Sequence, residues 1–275
     1  MFIINGEINN QLPVQDRGLH YGDGVFETIA VLEQEPLNWE THYQRLKTGC
    51  ERLGFQCPSS SVLQSEAAGL LEKKSHLAVL KLIVTRGQAG RGYRPAVPDS
   101  SPTRILGLYP WPEYPDQNYT HGVFIRICQT RLGHNPALAG IKHLNRLEQV
   151  LARSEWNQAE IAEGLMLDTD ANVISGTMSN LFMIHNDTLV TPDISQCGVN
   201  GIIRQKILAL APETGLKVNI TTIKESDLHQ AEELFLCNSL IGIWTVKMLG
   251  DREYNAGLQS QAIRNKLLER KIIAR

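Results

Sequence analysis

Residues 108–122, LYPWPEYPDQNYTHG, limit what this chain can fold into more than any other stretch. Pro110, Pro112 and Pro115 fall within six positions, and neither a helical nor a strand period runs through them. Proline has no amide hydrogen and a fixed φ, so the segment cannot continue a helix or a central strand. It splits the 275 residues into two stretches, each long enough to bury a core of its own. The expected organisation is a small α+β domain over 1–108, a linker over 109–121 and a larger domain over 122–275.

Periodicity fills in the two stretches. MFIINGEINN reads as a β-hairpin turning at Asn5-Gly6. Residues 40–53 read as a helix with Tyr43, Leu46 and Leu53 on one face, and Thr41 and Gln44 have capping-box spacing. A second helix is expected over 61–73. The β-branched run 79–84 reads as a strand ending in TRGQAGRGY, and 105–108 as a short strand. In the second stretch, strands are expected over 123–129, 164–167, 180–184, 189–191, 218–223 and 233–237. His185-Asn186-Asp187 makes a turn, and helices are expected over 202–210 and 258–272.

Composition excludes several classes. A formal net charge of −2 and a pI near 6.5 leave no basic surface for nucleic acid. No apolar run approaches the ~20 residues that span a bilayer. The N-terminus lacks the basic region and apolar core of a signal peptide. Cys50, Cys57, Cys128, Cys197 and Cys237 form no CxxC pair, so a disulfide framework and a zinc site are both unexpected. A reducing cytoplasm fits that usage. The eight histidines show no HExxH spacing, and no metal is expected.

Some segments could carry chemistry. Lys142 lies in AGIKHLNRLEQVLARSE, where Leu144, Leu147, Val150 and Leu151 recur at helical spacing. It would sit on a strand or loop just ahead of a helix, beside an apolar seam. A surface lysine and a nucleophilic amine both fit, since desolvation favours the neutral amine that attacks carbonyls. GVNGIIR (198–204) opens a helix, where unsatisfied amides and the dipole favour an anion such as phosphate; a glycine-rich turn fits as well. Arg45 fits a solvated helix arginine or a phosphate clamp, and Ser239 a turn or a phosphate donor. Arg91 and Tyr93 sit on the glycine-rich loop, where a guanidinium could bind a carboxylate or stay solvated. No GxSxG elbow follows a strand, which leaves a serine hydrolase unsupported.

Together these motifs resemble the fold-type-IV pyridoxal-phosphate enzymes, a family that includes branched-chain and D-amino acid aminotransferases and 4-amino-4-deoxychorismate lyases. DRGLHYGDGVFET (16–28), HYQRL (42–46), IKHLNRLEQV (141–150), SNLF (179–182), GVNGIIRQ (198–205) and CNSL (237–240) carry the resemblance over nearly the whole chain. It implies the two-domain α+β fold of D-amino acid aminotransferase, with a β-barrel-like core in the larger domain, and a homodimer. It implies pyridoxal 5′-phosphate as cofactor, with Lys142 as the Schiff-base lysine. The phosphate would fall to Arg45, to the amides of Ile202 and Ile203, and to Asn238 and Ser239.

TRGQAGRGY and RLGHNPALAGIKHLNRLEQVLAR are more similar to the lyases than to the aminotransferases. That implies conversion of 4-amino-4-deoxychorismate to p-aminobenzoate and pyruvate, with Lys142 as base, Thr28 donating to substrate or relaying a proton, and Arg91 and Tyr93 holding a substrate carboxylate. An aminotransferase of the same fold, or a non-catalytic relative that binds the cofactor, are the rival readings. One position departs from the family: its glutamate opposite the pyridine nitrogen aligns with Ser175. A hydroxyl stabilises a pyridinium less than a carboxylate does, which weakens the ring as an electron sink. Transamination needs that sink more than an elimination driven by aromatisation.

Overall fold

The computed structural model describes residues 1–72, 76–95, 101–255 and 257–275. Apart from its last two residues, the chain forms two compact units, Met1–Pro112 with Ile141–Asn145, and Glu113–Gly140 with Arg146–Ile273.

The first unit is built from β1 (Phe2–Ile4), β2 (Glu7–Ile8), α1 (Arg17–Tyr21), β3 (Gly24–Leu32), β4 (Glu35–Pro36), α2 (Trp39–Leu53), α3 (Ser60–Leu71), β5 (Leu77–Thr85) and β6 (Thr103–Pro110). Its strands form one antiparallel sheet in the order β2-β1-β6-β5-β3-β4. The expected hairpin forms, with Asn5 and Gly6 both at positive φ. One face carries Val25, Ile29, Leu80, Leu82, Val84 and Leu106, which pack with Leu46 of α2 and Leu63 and Leu70 of α3. Alternation then leaves Phe26, Thr28 and Lys81 for the opposite face.

Two helix expectations change. The capping box at Thr41 and Gln44 is absent: α2 starts after Asn38, whose φ is 55°, and Gln44 donates to Glu40 instead. The second helix runs Ser60–Leu71, and Lys73, the expected end, lies outside the described residues. Strand β6 reaches Pro110, two residues past the expected end.

The second unit contains α4 (Gln117–Thr120), β7 (Val123–Leu132), α5 (Leu147–Arg153), β8 (Ile161–Asp168), β9 (Val173–Gly176), β10 (Asn180–His185), β11 (Thr188–Pro192), α6 (Ile202–Leu210), β12 (Lys217–Thr221), α7 (Glu225–Leu228), β13 (Glu233–Asn238), β14 (Gly242–Leu249), β15 (Arg252–Glu253) and α8 (Leu258–Glu269). The mixed sheet runs β12-β11-β10-β13-β14-β7-β8-β9, with β15 beside β14. It curls until β9 comes against β10 and β11, giving the barrel-like core.

Strand β13 explains why one sheet serves two cores. Leu234 and Leu236 pack with Trp244 and Val246, while Phe235 and Cys237 pack with Ile203 and Ile207 of α6 and Ile263 and Leu267 of α8. A strand buried on both faces is apolar at every position, as ELFLCN nearly is. Phe182 of β10 stacks on Phe235 with centroids 5.2 Å apart.

Candidate active site

The first unit holds Lys142, Thr28, Arg45, Arg91 and Tyr93. Lys142 is not at the mouth of a helix. Its segment lies against β3 through an isolated antiparallel bridge: Phe26 donates its amide to the Lys142 carbonyl at 2.9 Å, and Leu144 donates to Gly24 at 3.0 Å. Leu144 is thereby withdrawn from the helix expected to include it, and α5 begins only at Leu147. Asn145 donates to the Gly22 carbonyl at 3.2 Å, pinning the far end. The half-buried Lys142 Nζ lies 4.3 Å from the centroid of the Phe26 ring.

A second amine meets the same ring. Lys81 Nζ lies 4.5 Å from the Phe26 centroid, and Lys81 faces Thr28 across the β3–β5 ladder. Burial lowers the Lys81 ammonium from its ordinary range, and no carboxylate among the described residues pairs with it. Sequence reading missed this residue. Its only signal is a single charge inside the apolar run LAVLKLIV.

Arg45 is neither solvated nor loosely held. Its Nε donates to Glu27 Oε1 at 2.8 Å, and a second contact joins its Nη2 to Glu27 Oε2. His42 Nδ1 lies 2.6 Å from the same carboxylate. His42 and Arg45 are three positions apart on α2, so both side chains face β3. Burial alone would raise the Glu27 carboxyl, but the Arg45 and His42 charges and hydrogen bonds outweigh it and bring it to about 2. His42 is lowered, chiefly by burial and further by Arg45 and Lys142. Arg45 carries the charge that balances Glu27, and His42 Nδ1 completes the contacts of that carboxylate. Glu27 is fully engaged here and cannot take the role of the missing carboxylate at 175.

Arg91 and Tyr93 lie on the exposed loop after β5, with Tyr93 86% accessible.

The second unit holds Ser175, Ile202, Ile203, Asn238 and Ser239. Helix α6 starts after Gly201 with no side-chain cap, and the buried amides of Ile202 and Ile203 have no acceptor among the described residues. A Cβ at Gly201 would lie 2.0 Å from Asn180 Oδ1, so only bare backbone fits. Asn180 in turn donates to Val199 at 3.0 Å, and the buried Arg204 donates to Asn200 Oδ1 and the Pro192 carbonyl. This rigid cradle of helix-opening amides is suited to a phosphate.

Asn238 is spent on its own turn. Its Oδ1 accepts from the Leu240 and Ile241 amides at 2.8 and 2.9 Å, and its Nδ2 donates to the Met178 carbonyl. Ser175 is buried on β9 and donates its hydroxyl to the Gly176 carbonyl at 2.9 Å.

Glu163, which sequence reading also missed, organises the turn after Ser175. Its buried carboxylate accepts from the Gly164, Thr177 and Met178 amides and from the Thr177 and Ser179 hydroxyls. Five donors saturate both oxygens. This carboxylate, too, cannot stand in for the one absent at 175.

The amino-transferase class IV family pattern matches residues 24–249. An aminodeoxychorismate lyase of Vibrio harveyi is 34% identical over 244 residues, covering 88% of this chain and 89% of that protein. The crystal structure of 4-amino-4-deoxychorismate lyase from Pseudomonas aeruginosa superposes with a TM-score of 0.94 at 42% identity, over 99% of this chain and all of that one. The branched-chain amino acid aminotransferase of Escherichia coli superposes with a TM-score of 0.85 at 23% identity, covering 97% of this chain and 92% of its own.

Proposed function

The chain belongs to the class IV aminotransferase family, and from that premise we propose that it is a pyridoxal-phosphate-dependent lyase acting on 4-amino-4-deoxychorismate. The observation that carries this reading is full-length similarity to lyases at 34% and 42% identity, against 29% for a putative branched-chain aminotransferase relative and 23% for the aminotransferase superposed above. Ser175 points the same way, since a weak electron sink handicaps transamination more than an aromatising elimination. The products are p-aminobenzoate and pyruvate.

Pyridoxal 5′-phosphate, when bound, supplies an aldehyde that captures amines and a ring that withdraws electrons. The chain's residues supply the rest. We assign the phosphate to the Ile202 and Ile203 amides, to Ser239 and to Arg45. Glu27 keeps the Arg45 fork in one orientation, at the cost of part of its charge. Lys142 would hold the cofactor's aldehyde, and its free amine would take the proton from substrate C4 as general base. Loss of that proton drives the enolpyruvyl group off C3 and the ring becomes aromatic. Thr28 sits on the Lys142 face and relays a proton or donates to substrate. Lys81, a partly desolvated cation, joins Arg91 and Tyr93 in binding the substrate's carboxylates.

Direct assay decides between lyase and aminotransferase. Holoenzyme should release p-aminobenzoate from 4-amino-4-deoxychorismate and transfer little nitrogen from D-alanine or branched-chain amino acids to 2-oxoglutarate. Efficient transfer with no p-aminobenzoate would reject the lyase.

We infer a homodimer that covers α5. Leu147, Val150 and Leu151 share one side of that helix and are 76, 58 and 60% exposed. Single exposed leucines are ordinary, but three at i, i+3 and i+4 form a face that needs a partner. Leu151→Glu should move the protein to the monomer position in size-exclusion chromatography with light scattering; an unchanged dimer would place the interface elsewhere. No helix among the described residues is long and apolar enough to cross a membrane. All five cysteines are unpaired thiols, which supports a cytoplasmic assignment.

A further inference from the structure

The stretch 88–93, which carries Arg91 and Tyr93, is glycine-rich and mostly exposed, so holding it in one conformation needs a cause. Glycines lose the most conformational freedom on being fixed. The cause lies in DRGLHYGDG. The Arg17 amide donates to the Gly87 carbonyl at 2.9 Å, holding the start of the loop. Its guanidinium, almost wholly buried, donates to the Gly92 carbonyl through Nη1 at 2.9 Å and to the Tyr93 carbonyl through Nη2 at 3.0 Å, holding the end. Its Nε binds Asp23 Oδ2 at 2.8 Å, and Arg86 Nε binds the same oxygen at 2.8 Å.

Tyr21 completes the clamp. The Gly92 amide donates to its hydroxyl at 3.2 Å, the Arg17 guanidinium lies over its ring at 4.8 Å, and the Tyr93 ring packs against it at 5.5 Å. Gly92 itself has φ 105°, a conformation that side-chain-bearing residues avoid, so the carbonyls aimed at Arg17 depend on it. A buried arginine normally serves a core. This one spends two donors on the carbonyls of Gly92 and Tyr93, in a stretch whose side chains from Gln88 to Tyr93 are mostly exposed.

We propose that Arg17 and Tyr21 are positioning residues that set substrate affinity by fixing Arg91 and Tyr93, a role that rests on the lyase reading above. Neither touches substrate. The guanidinium fork reaches three acceptors that the single ammonium of a lysine cannot span. Arg17→Lys therefore keeps the charge beside Asp23 and releases the loop.

Two readouts test this on the holoenzyme. Trypsin should cut the Arg91–Gly92 bond about tenfold faster in Arg17→Lys than in wild type, because that bond becomes mobile. KM for 4-amino-4-deoxychorismate should rise about tenfold with kcat within about twofold and cofactor absorption unchanged. Tyr21→Phe, which removes only the acceptor for the Gly92 amide, should move both readouts the same way by about threefold, and stands in should Arg17→Lys fail to fold. Faster cleavage with unchanged KM would overturn the proposal, as would unchanged cleavage. If wild type makes no p-aminobenzoate, the lyase reading falls, whereas cleavage still decides whether Arg17 holds the loop.

Discussion

Lys142→Ala should lower kcat for p-aminobenzoate formation by about 10⁴-fold or more, because one side chain serves as both covalent anchor and general base. It should also remove the visible absorption that wild type acquires on reconstitution with pyridoxal 5′-phosphate. The fold should survive. What the segment contributes to β3 is main chain, through the Lys142 carbonyl and the Leu144 amide, and alanine keeps both. The side chain lies against Phe26, and its truncation leaves a shallow, half-exposed gap. A melting temperature close to wild type, together with lost turnover and lost colour, is the expected pattern. A variant that retains kcat within about tenfold of wild type would remove Lys142 from the chemistry.

Glu27→Ala should be the most damaging single change to stability. It leaves Arg45 and His42 buried without their carboxylate, and breaking a buried ion pair costs about 3–5 kcal/mol. The acid limb of the stability curve gives a second signature. Glu27 titrates near 2 when folded, against an ordinary value of 4.5. Its folded pKa is the lower one, so its contribution is complete above the unfolded value. It is lost as pH falls from about 4.5 toward about 2, and amounts to about 3 kcal/mol. Melting temperatures from pH 7 down to pH 3 should therefore fall more steeply for wild type than for Glu27→Gln. Parallel curves, or a melting point for Glu27→Ala within about 2 °C of wild type, would show that the pair contributes little. Phosphate binding should also weaken in Glu27→Gln, since the Arg45 fork loses its fixed orientation.

Much of the fold was readable because period and turn chemistry agreed. Asn5-Gly6 and Asn186-Asp187 made the positive-φ turns their residues suggest, and α6 began and ended where its glycines and apolar spacing put it. The Lys142 segment was misread because Leu144 fits a helical period with Leu147 and Leu151. Its amide is instead taken by Gly24, more than a hundred residues earlier, and no local pattern records such a partner. The same limit hid Lys81, Glu163 and the partners of Glu27. A charge inside an apolar strand signals that something compensates it, but only the fold shows what. For Glu27 the compensation is two residues on α2; for Glu163 it is a turn on the next hairpin. Asn238 was read as a ligand group from its motif, and its side chain proves committed to the turn.

The Gly201 cradle has a consequence for how this chain tolerates change. The amides offered there belong to the main chain, so the identities of Ile202 and Ile203 matter for filling the core and not for what they present. Valine or leucine at either position should pass a mutational scan with modest loss. Position 201 should tolerate nothing, since even one methyl would collide with Asn180. A fitness map of this stretch would therefore be blank over the residues nearest the ligand and dark at the one residue with no side chain.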